Sequence, residues 1–381
     1  MADAEGRAEG AEGAAAVLAR SRSTLRTSVV RPVGSVATRL LEPLDRAASP
    51  AAAAFNRSLG QYFGTVTGLQ LLVLITTVLA LFAAPLWAPY IVGNYLYTLA
   101  IACVWAIFAM AWDVQSGYTG YISFGHSALS GAAGYATALL VVNVGPNLPL
   151  WVTIPVSVLA ALVVGLVVGL PALRLQGPYF SLITFVAVLL FYRLTIGFSE
   201  FLGGETGFQE VQAFTYDPTL RFYYMLVPML LVAVGLTFVA RSNVGMVFVA
   251  IRENESAVAA AGLNPTAFKL WSFVMSAIPM GIGGVLLAHF SGNVTPSSFV
   301  VVNNSIEMIA MAVLGGIGSV LAPIGGAFLF VILRDEVLHG VGHSLRYFTL
   351  WMVVLAVLVF ARDGVIRRLW HAIGAIGGDS E

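Results

Sequence analysis

From Gly68 to Ala361 the chain is a succession of apolar runs, and this pattern restricts it to an all-helical polytopic membrane protein. In hydrocarbon every backbone N–H and C=O must be satisfied within the protein, and of the two architectures that achieve this, helices and closed barrels, long apolar runs fit the helix. A helix needs about 20 residues to cross roughly 30 Å of hydrocarbon. Ten segments approach that length: 68–86, 92–112, 121–142, 151–170, 179–196, 222–240, 270–288, 305–321, 324–338 and 346–361. The third, eighth and ninth are the weakest. Composition agrees, with 59% hydrophobic and 10% charged residues, against roughly 45–50% and about 25% in soluble domains. A net charge of zero lacks the basic excess that a nucleic-acid partner requires. The lone cysteine, Cys103, builds neither a disulfide framework nor a cysteine metal site within one chain.

Residues 1–60 are of another kind. The run AEGRAEGAEGAAA is of low complexity, and Arg20 to Arg57 carries seven arginines against only Glu42 and Asp45. With few large apolar side chains to offset the entropy of ordering, this stretch is expected to be a largely disordered cytoplasmic tail. It lacks the features of a cleaved leader and is expected to be retained. Its arginines can meet anionic membrane lipid or simply orient the first helix.

With that tail inside, the cytoplasmic loops hold Arg174, Arg241, Arg252 and Lys269, and the C-terminal tail, 363–381, follows Arg362. The opposite loops are uncharged or, at Glu200 to Asp217, acidic, so the positive-inside rule is met. Ten crossings in the transmembrane domain, 61–362, return both termini to the cytoplasm. Five crossings per half would set the halves as inverted repeats, an arrangement of many transporters.

One polar insert, Arg241 to Lys269, interrupts the apolar pattern. Ala250 to Gly262 has the composition of a short amphipathic helix, with Arg252, Glu253, Asn254 and Glu255 grouped before an alanine-rich run. Gly262 and Pro265 are expected to stop it. Such a helix outside the bilayer suits a partner protein better than a small substrate; the plainer reading is a solvated surface loop.

Two glycine clusters carry the second signal: GYTGYISFGHSALSGAAG from Gly117, and GGIGSVLAPIGGA from Gly315. Gly117, Gly120 and Gly125 each weaken a helix by up to about 1 kcal/mol relative to alanine, so a break or re-entrant turn is expected there. Irregular backbone at membrane depth survives where it is buried in protein or lines a wet cavity. Tyr118, Ser123 and His126, with Gly315, Gly316 and Gly318, thus become candidates for a translocation path; the competing reading is close helix packing through small residues. Gly165 and Gly169 read as packing alone. Glu307, at the outer start of the eighth segment, is a further path candidate or a first-turn helix carboxylate.

These motifs resemble a known family. GYTGYISFGHSALSGAAGYATALL, LRLQGPYFSLITF, GGETGF, VGMVFVAIRENESAVAAAGLNPTAFKLWSFVMSA, TPSSF and SIEMIAMAVLGGIGSVLAPIGGA occur in the order seen in LivM-type permease subunits of branched-chain amino acid ABC importers. The resemblance covers Tyr90 to Arg362. It implies a prokaryotic plasma (inner) membrane protein working with two ATPase subunits, a second related permease and an extracytoplasmic binding protein. The insert would be the coupling helix, with Gly245, Arg252, Glu253, Asn254, Glu255 and Gly262 as its ATPase-coupling region. The register differs from the usual one, since Glu255 precedes Gly262 by seven positions and is followed by Ser256.

An enzyme is not expected. His126 and Ser127 are neighbours on a helix and do not face each other as base and nucleophile. The sequence has neither an HExxH zinc motif nor a GxxxxGK[ST] phosphate loop. No cofactor or metal is expected on this chain, ATP being carried by its partners. Two alternatives share the pattern. A urea or short-amide ABC importer would carry nearly the same motifs, and an ion-coupled secondary transporter would need ion ligands deep in the membrane.

Overall fold

The computed structural model describes residues 30–60, 64–88, 95–145, 148–172, 174–175, 177–209, 211–212, 214–338, 340, 342–361 and 363–377. Among them the protein is helical. The only extended pairing is an isolated antiparallel bridge, Phe208 to Val294, which joins the GGETGF and TPSSF motifs. Residues 1–29, the start of the expected tail, lie outside the described residues.

The described residues form two compact bodies, one within 30–81 and 369–377, the other within 82–368. In the first, α1 (Val30–Ser58) corrects the expectation of disorder over that stretch. Polar contacts rather than bulk order it. The Asp45 carboxylate is buried and accepts from the Leu69 N–H at 2.6 Å, filling a free donor of the first turn of α2 (Gly68–Phe82). The Asn56 amide exchanges two 2.9 Å bonds with the Val66 backbone. A Cβ on Gly68 would lie 2.5 Å from the Asp45 carbonyl, so only glycine admits this approach. The C-terminal stretch is likewise not a plain tail: it forms helix Val365–Gly377, and Gln70 donates to its Trp370 carbonyl at 3.0 Å.

The second body begins with the single turn α3 (Ala84–Trp87) and then centres on α4 (Tyr95–Trp112), buried at every residue from Thr98 to Trp112. Around it run α5 (His126–Asn143), α6 (Leu150–Ala172), α7 (Pro178–Gly197), the short α8 (Ser199–Leu202), α9 (Pro218–Arg241), α10 (Asn243–Ala260) and α11 (Pro265–Ser291). The single turn α12 (Pro296–Phe299) precedes α13 (Val302–Gly315), α14 (Ala322–Ile332), α15 (His343–Phe360) and the start of α16, Val365–Gly377.

Small residues set the close contacts. On α11, a Cβ at Gly283 would fall 2.5 Å from the Phe108 ring, and one at Gly284 would fall 2.5 Å from the Ser130 carbonyl. Such absences of side chain bring helices near enough for van der Waals packing, the main cohesive term in lipid. The outward faces of α6 and α7 leave Leu159, Val163, Val167, Leu182 and Leu190 exposed. A lipid solvent accounts for them.

Among the described residues, six helical stretches are long and apolar enough to cross a membrane: 95–117, 150–172, 178–197, 218–241, 265–291 and 296–315. A seventh is reached if α15 and the helix after it form one bent span. The protein is thus all-helical and multi-pass. Three expected spans are shorter than their hydropathy suggested. The first is the 15-residue α2, the third begins only at His126, and the ninth is the 11-residue α14 followed by a π-helical turn, Leu333–Val337.

Candidate functional site

The first glycine cluster breaks the chain directly after the candidate span 95–117. Helix α4 widens into a π-helical turn, Asp113–Gly117, after which residues 120–125 are irregular and α5 starts at His126. The Gly120 φ of +77° is left-handed, where an L side chain is strained. Backbone groups freed by the break are satisfied from neighbouring helices. Trp112 Nε1 donates to the Ser123 carbonyl at 2.8 Å and Gln115 Nε2 to the Tyr121 carbonyl at 3.1 Å. Ser181 Oγ donates to the Ile122 carbonyl at 2.6 Å, and Thr184 Oγ1 accepts from the Phe124 N–H at 3.1 Å. An irregular segment so completely bonded is a built feature.

The second cluster is a matching break between α13 and α14. Gly316 and Gly318 have φ of +128° and +78°. The two breaks touch. Asp113, fully buried on the π-helical turn, accepts from the Gly318 N–H through Oδ1 at 2.7 Å and from the Ser319 N–H through Oδ2 at 2.9 Å. Half-buried Tyr118 faces the Val320 backbone from the same turn.

The polar insert closes on this junction. Helix α10 starts earlier than expected, at a Ser242 cap, and is interrupted at Asn254, whose φ and ψ of −159° and 96° are not helical. Arg252, just before the interruption, donates through Nη1 to the Gly117 carbonyl at 2.8 Å while its stem lies over Gly120. Glu255, just after it, accepts from Lys269 Nζ at 2.8 Å and from the Tyr121 hydroxyl. Lys269, near the start of α11, also sits 4.3 Å from the centre of the Tyr121 ring, a cation–π distance. Burial alone would raise the Glu255 carboxyl, but the hydrogen bonds from Lys269 and Tyr121 and the lysine charge hold it below its ordinary value.

The expected site residues separate into groups. Gly117, Tyr118, Gly120, Ser123, Gly125, Gly315, Gly316 and Gly318 lie along the two breaks, with Arg252 and Glu255 against the first. Glu253, Asn254 and Gly262 are exposed on the insert, where Gly262 (φ +84°) ends the helix as expected and Asn264 caps α11. Gly245 is buried, and a Cβ there would meet the Ala240 carbonyl at 2.2 Å, so it sets the turn between α9 and α10. His126 is fully buried and pairs through Nδ1 with Ser123 Oγ at 3.2 Å, not with Ser127. Ser127 instead binds Ser305 of α13. Glu307 is apart from the junction: Asn303 takes one oxygen at 3.0 Å and Arg334 the other at 2.7 Å. Asp113, Tyr121 and Lys269 were not among the expected site residues, although Asp113 and Lys269 are charged groups placed by the sequence at the inner ends of apolar segments.

A multi-pass helical body with two broken membrane segments meeting under one polar insert has the construction of a membrane permease. Residues 94–361 match the family described as branched-chain amino acid transport system, permease component, and the chain belongs to that family. It is 29% identical over 277 residues to the high-affinity branched-chain amino acid transport system permease protein LivM of Escherichia coli K12. The LivM of Salmonella typhimurium gives the same identity and length. Each alignment covers 65% of this chain and 64% of the relative. No solved structure matches the chain.

Proposed function

We propose that this chain is the permease subunit of an ABC importer that moves branched-chain or other apolar amino acids across the prokaryotic plasma membrane. The observation that carries this reading is the contact of Arg252 with the first break, at the point where Asp113 holds the second. A partner that moves the insert would thereby move unwound backbone in both halves. One of two ATPase subunits would dock on the exposed part of this insert, around Glu253, Asn254 and Gly262, and the pair would supply the energy of ATP. A second related permease would complete the path, and an extracytoplasmic binding protein would deliver the substrate.

In this reading the path follows Gly117 to His126 and Gly315 to Gly318. Glu307, already paired with Arg334, acts as a strut at its margin. Ten crossings follow if the short helices α2, α5 and α14 also traverse the bilayer, giving two five-helix inverted repeats with both termini cytoplasmic.

The test is uptake by proteoliposomes that contain the assembled complex with its binding protein. ATP-dependent accumulation of labelled leucine is expected. Accumulation of urea or a short amide in its place would reassign the substrate, and uptake driven by an ion gradient without ATP would replace the mechanism.

A further inference from the structure

The junction beneath the insert is more specific than a general docking helix requires. Asp113 uses both oxygens on backbone donors of the second break, from a turn that belongs to the first. Its approach leaves no space at Gly117, where a Cβ would fall 2.0 Å from Asp113 Oδ1 and 3.0 Å from the Gly318 nitrogen. A Cβ on Gly318 would in turn lie 2.9 Å from Arg252 Nη1, and one on Gly120 would lie 3.1 Å from Arg252 Cγ. The arginine therefore rests on three glycines from the two breaks at once. Arg252 and Arg367 are the cations facing the buried carboxylate, and Arg367 also reaches the Ile317 carbonyl at 3.4 Å.

We propose that Asp113 and Arg252 are positioning residues that form one rigid link, so that displacement of α10 is passed to both broken segments together. This rests on the transport reading above. Close-packed glycine contacts bear load because they cannot deform without collision, and charge-assisted hydrogen bonds to backbone hold it in the opposite direction. The arginine stem meets the first break, and the carboxylate transfers the same movement to the second. Without the carboxylate, the arginine only abuts Gly318 and holds no hydrogen bond that would draw the second break with it.

The test uses the full complex with its ATPases, in lipid nanodiscs, and follows hydrogen–deuterium exchange with and without ATP. In the unaltered protein, segments 117–125 and 315–321 are expected to change exchange together with 243–260. Arg252 is exposed, so Arg252→Ala should assemble normally. In that variant the insert should still respond to ATP while both breaks fall silent. Arg252→Lys, which can still donate to the Gly117 carbonyl, should recover part of the response. Asp113→Asn turns one accepting oxygen into a donor, and should silence 315–321 while 117–125 still responds. Two breaks that respond normally in Arg252→Ala, or a second break that responds normally in Asp113→Asn, would overturn the link. Leucine uptake is measured in parallel, in proteoliposomes of the same complex. Its absence from the unaltered complex would count against the substrate assignment only, because the exchange readout does not depend on substrate.

Discussion

Lys269 Nζ lies 2.8 Å from Glu255 Oε1 with 2% of the lysine side chain and 28% of the glutamate side chain exposed, so one end of the polar insert is locked inward. Removing one partner of a buried pair costs roughly 3–5 kcal/mol. Solvent around Glu255 screens the pair, and Glu255→Ala is expected to lose less than that range. The double variant Glu255→Ala, Lys269→Met should recover most of the loss. Thermal unfolding of the four proteins of the cycle measures it.

The same pair has a defined pH dependence. A carboxyl whose folded pKa is depressed contributes stability above its unfolded pKa, about 4.3, and loses it as pH falls through the folded value. The melting temperatures of the unaltered protein and Glu255→Gln should differ by a constant amount above about pH 5 and converge only as pH falls through the depressed folded value. A difference that grows from pH 6 to pH 8 would point to another group.

Glu253 and Glu255 should separate on charge reversal. Glu253 faces outward, and Glu255→Lys would set a second cation against Lys269. Glu253→Lys is expected to reduce recovery of the ATPases with an unchanged melting temperature, whereas Glu255→Lys should lower the melting temperature itself. Equal ATPase recovery for Glu253→Lys and the unaltered protein would remove Glu253 from the docking surface.

Glu307 should behave as a structural acid. Arg334→Met leaves its carboxylate, 4% exposed, without a cation, and a loss approaching roughly 3–5 kcal/mol is expected. Glu307→Gln should be milder, since Asp335 still holds Arg334. A substrate contact would instead raise the KM for leucine at constant stability.

Two glycines should respond oppositely to alanine. At Gly120 the left-handed backbone makes Gly120→Ala cost about 1–2 kcal/mol. At Gly165 the added Cβ would meet Ala277 at 3.4 Å and Leu129 at 3.5 Å, ordinary contact distances. Gly165→Ala should therefore match or exceed the unaltered melting temperature, because alanine favours a helix interior by up to about 1 kcal/mol.

Orientation can be read from single cysteines, since Cys103 is fully buried and can be replaced. A cysteine at Gln209 is expected to react with an impermeant thiol reagent from outside intact cells, and one at Asn254 only after the membrane is opened. Outside labelling at Asn254 would invert the topology.

The sequence alone established that the protein is helical and membrane-embedded, and it pointed to a break in the first glycine cluster and to a helix between Arg241 and Lys269. These are local properties: hydropathy over one helix length, the conformational freedom of glycine, and the stop signal of Gly262 and Pro265 each act within a few residues of chain. Only the tertiary structure decided that Asp113 binds the backbone of Gly318 and Ser319, that Arg252 seats on Gly117, and that Glu255 turns inward to Lys269 and Tyr121. It also decided that residues 30–58 are helical, because Asp45 and Asn56 gain their partners only when 66–69 is folded beside them. The physical reason is common to all of these. A polar group in a mostly apolar chain is bound by whichever partner the packing of helices brings to it, and that partner can lie two hundred positions away, beyond the reach of any local pattern.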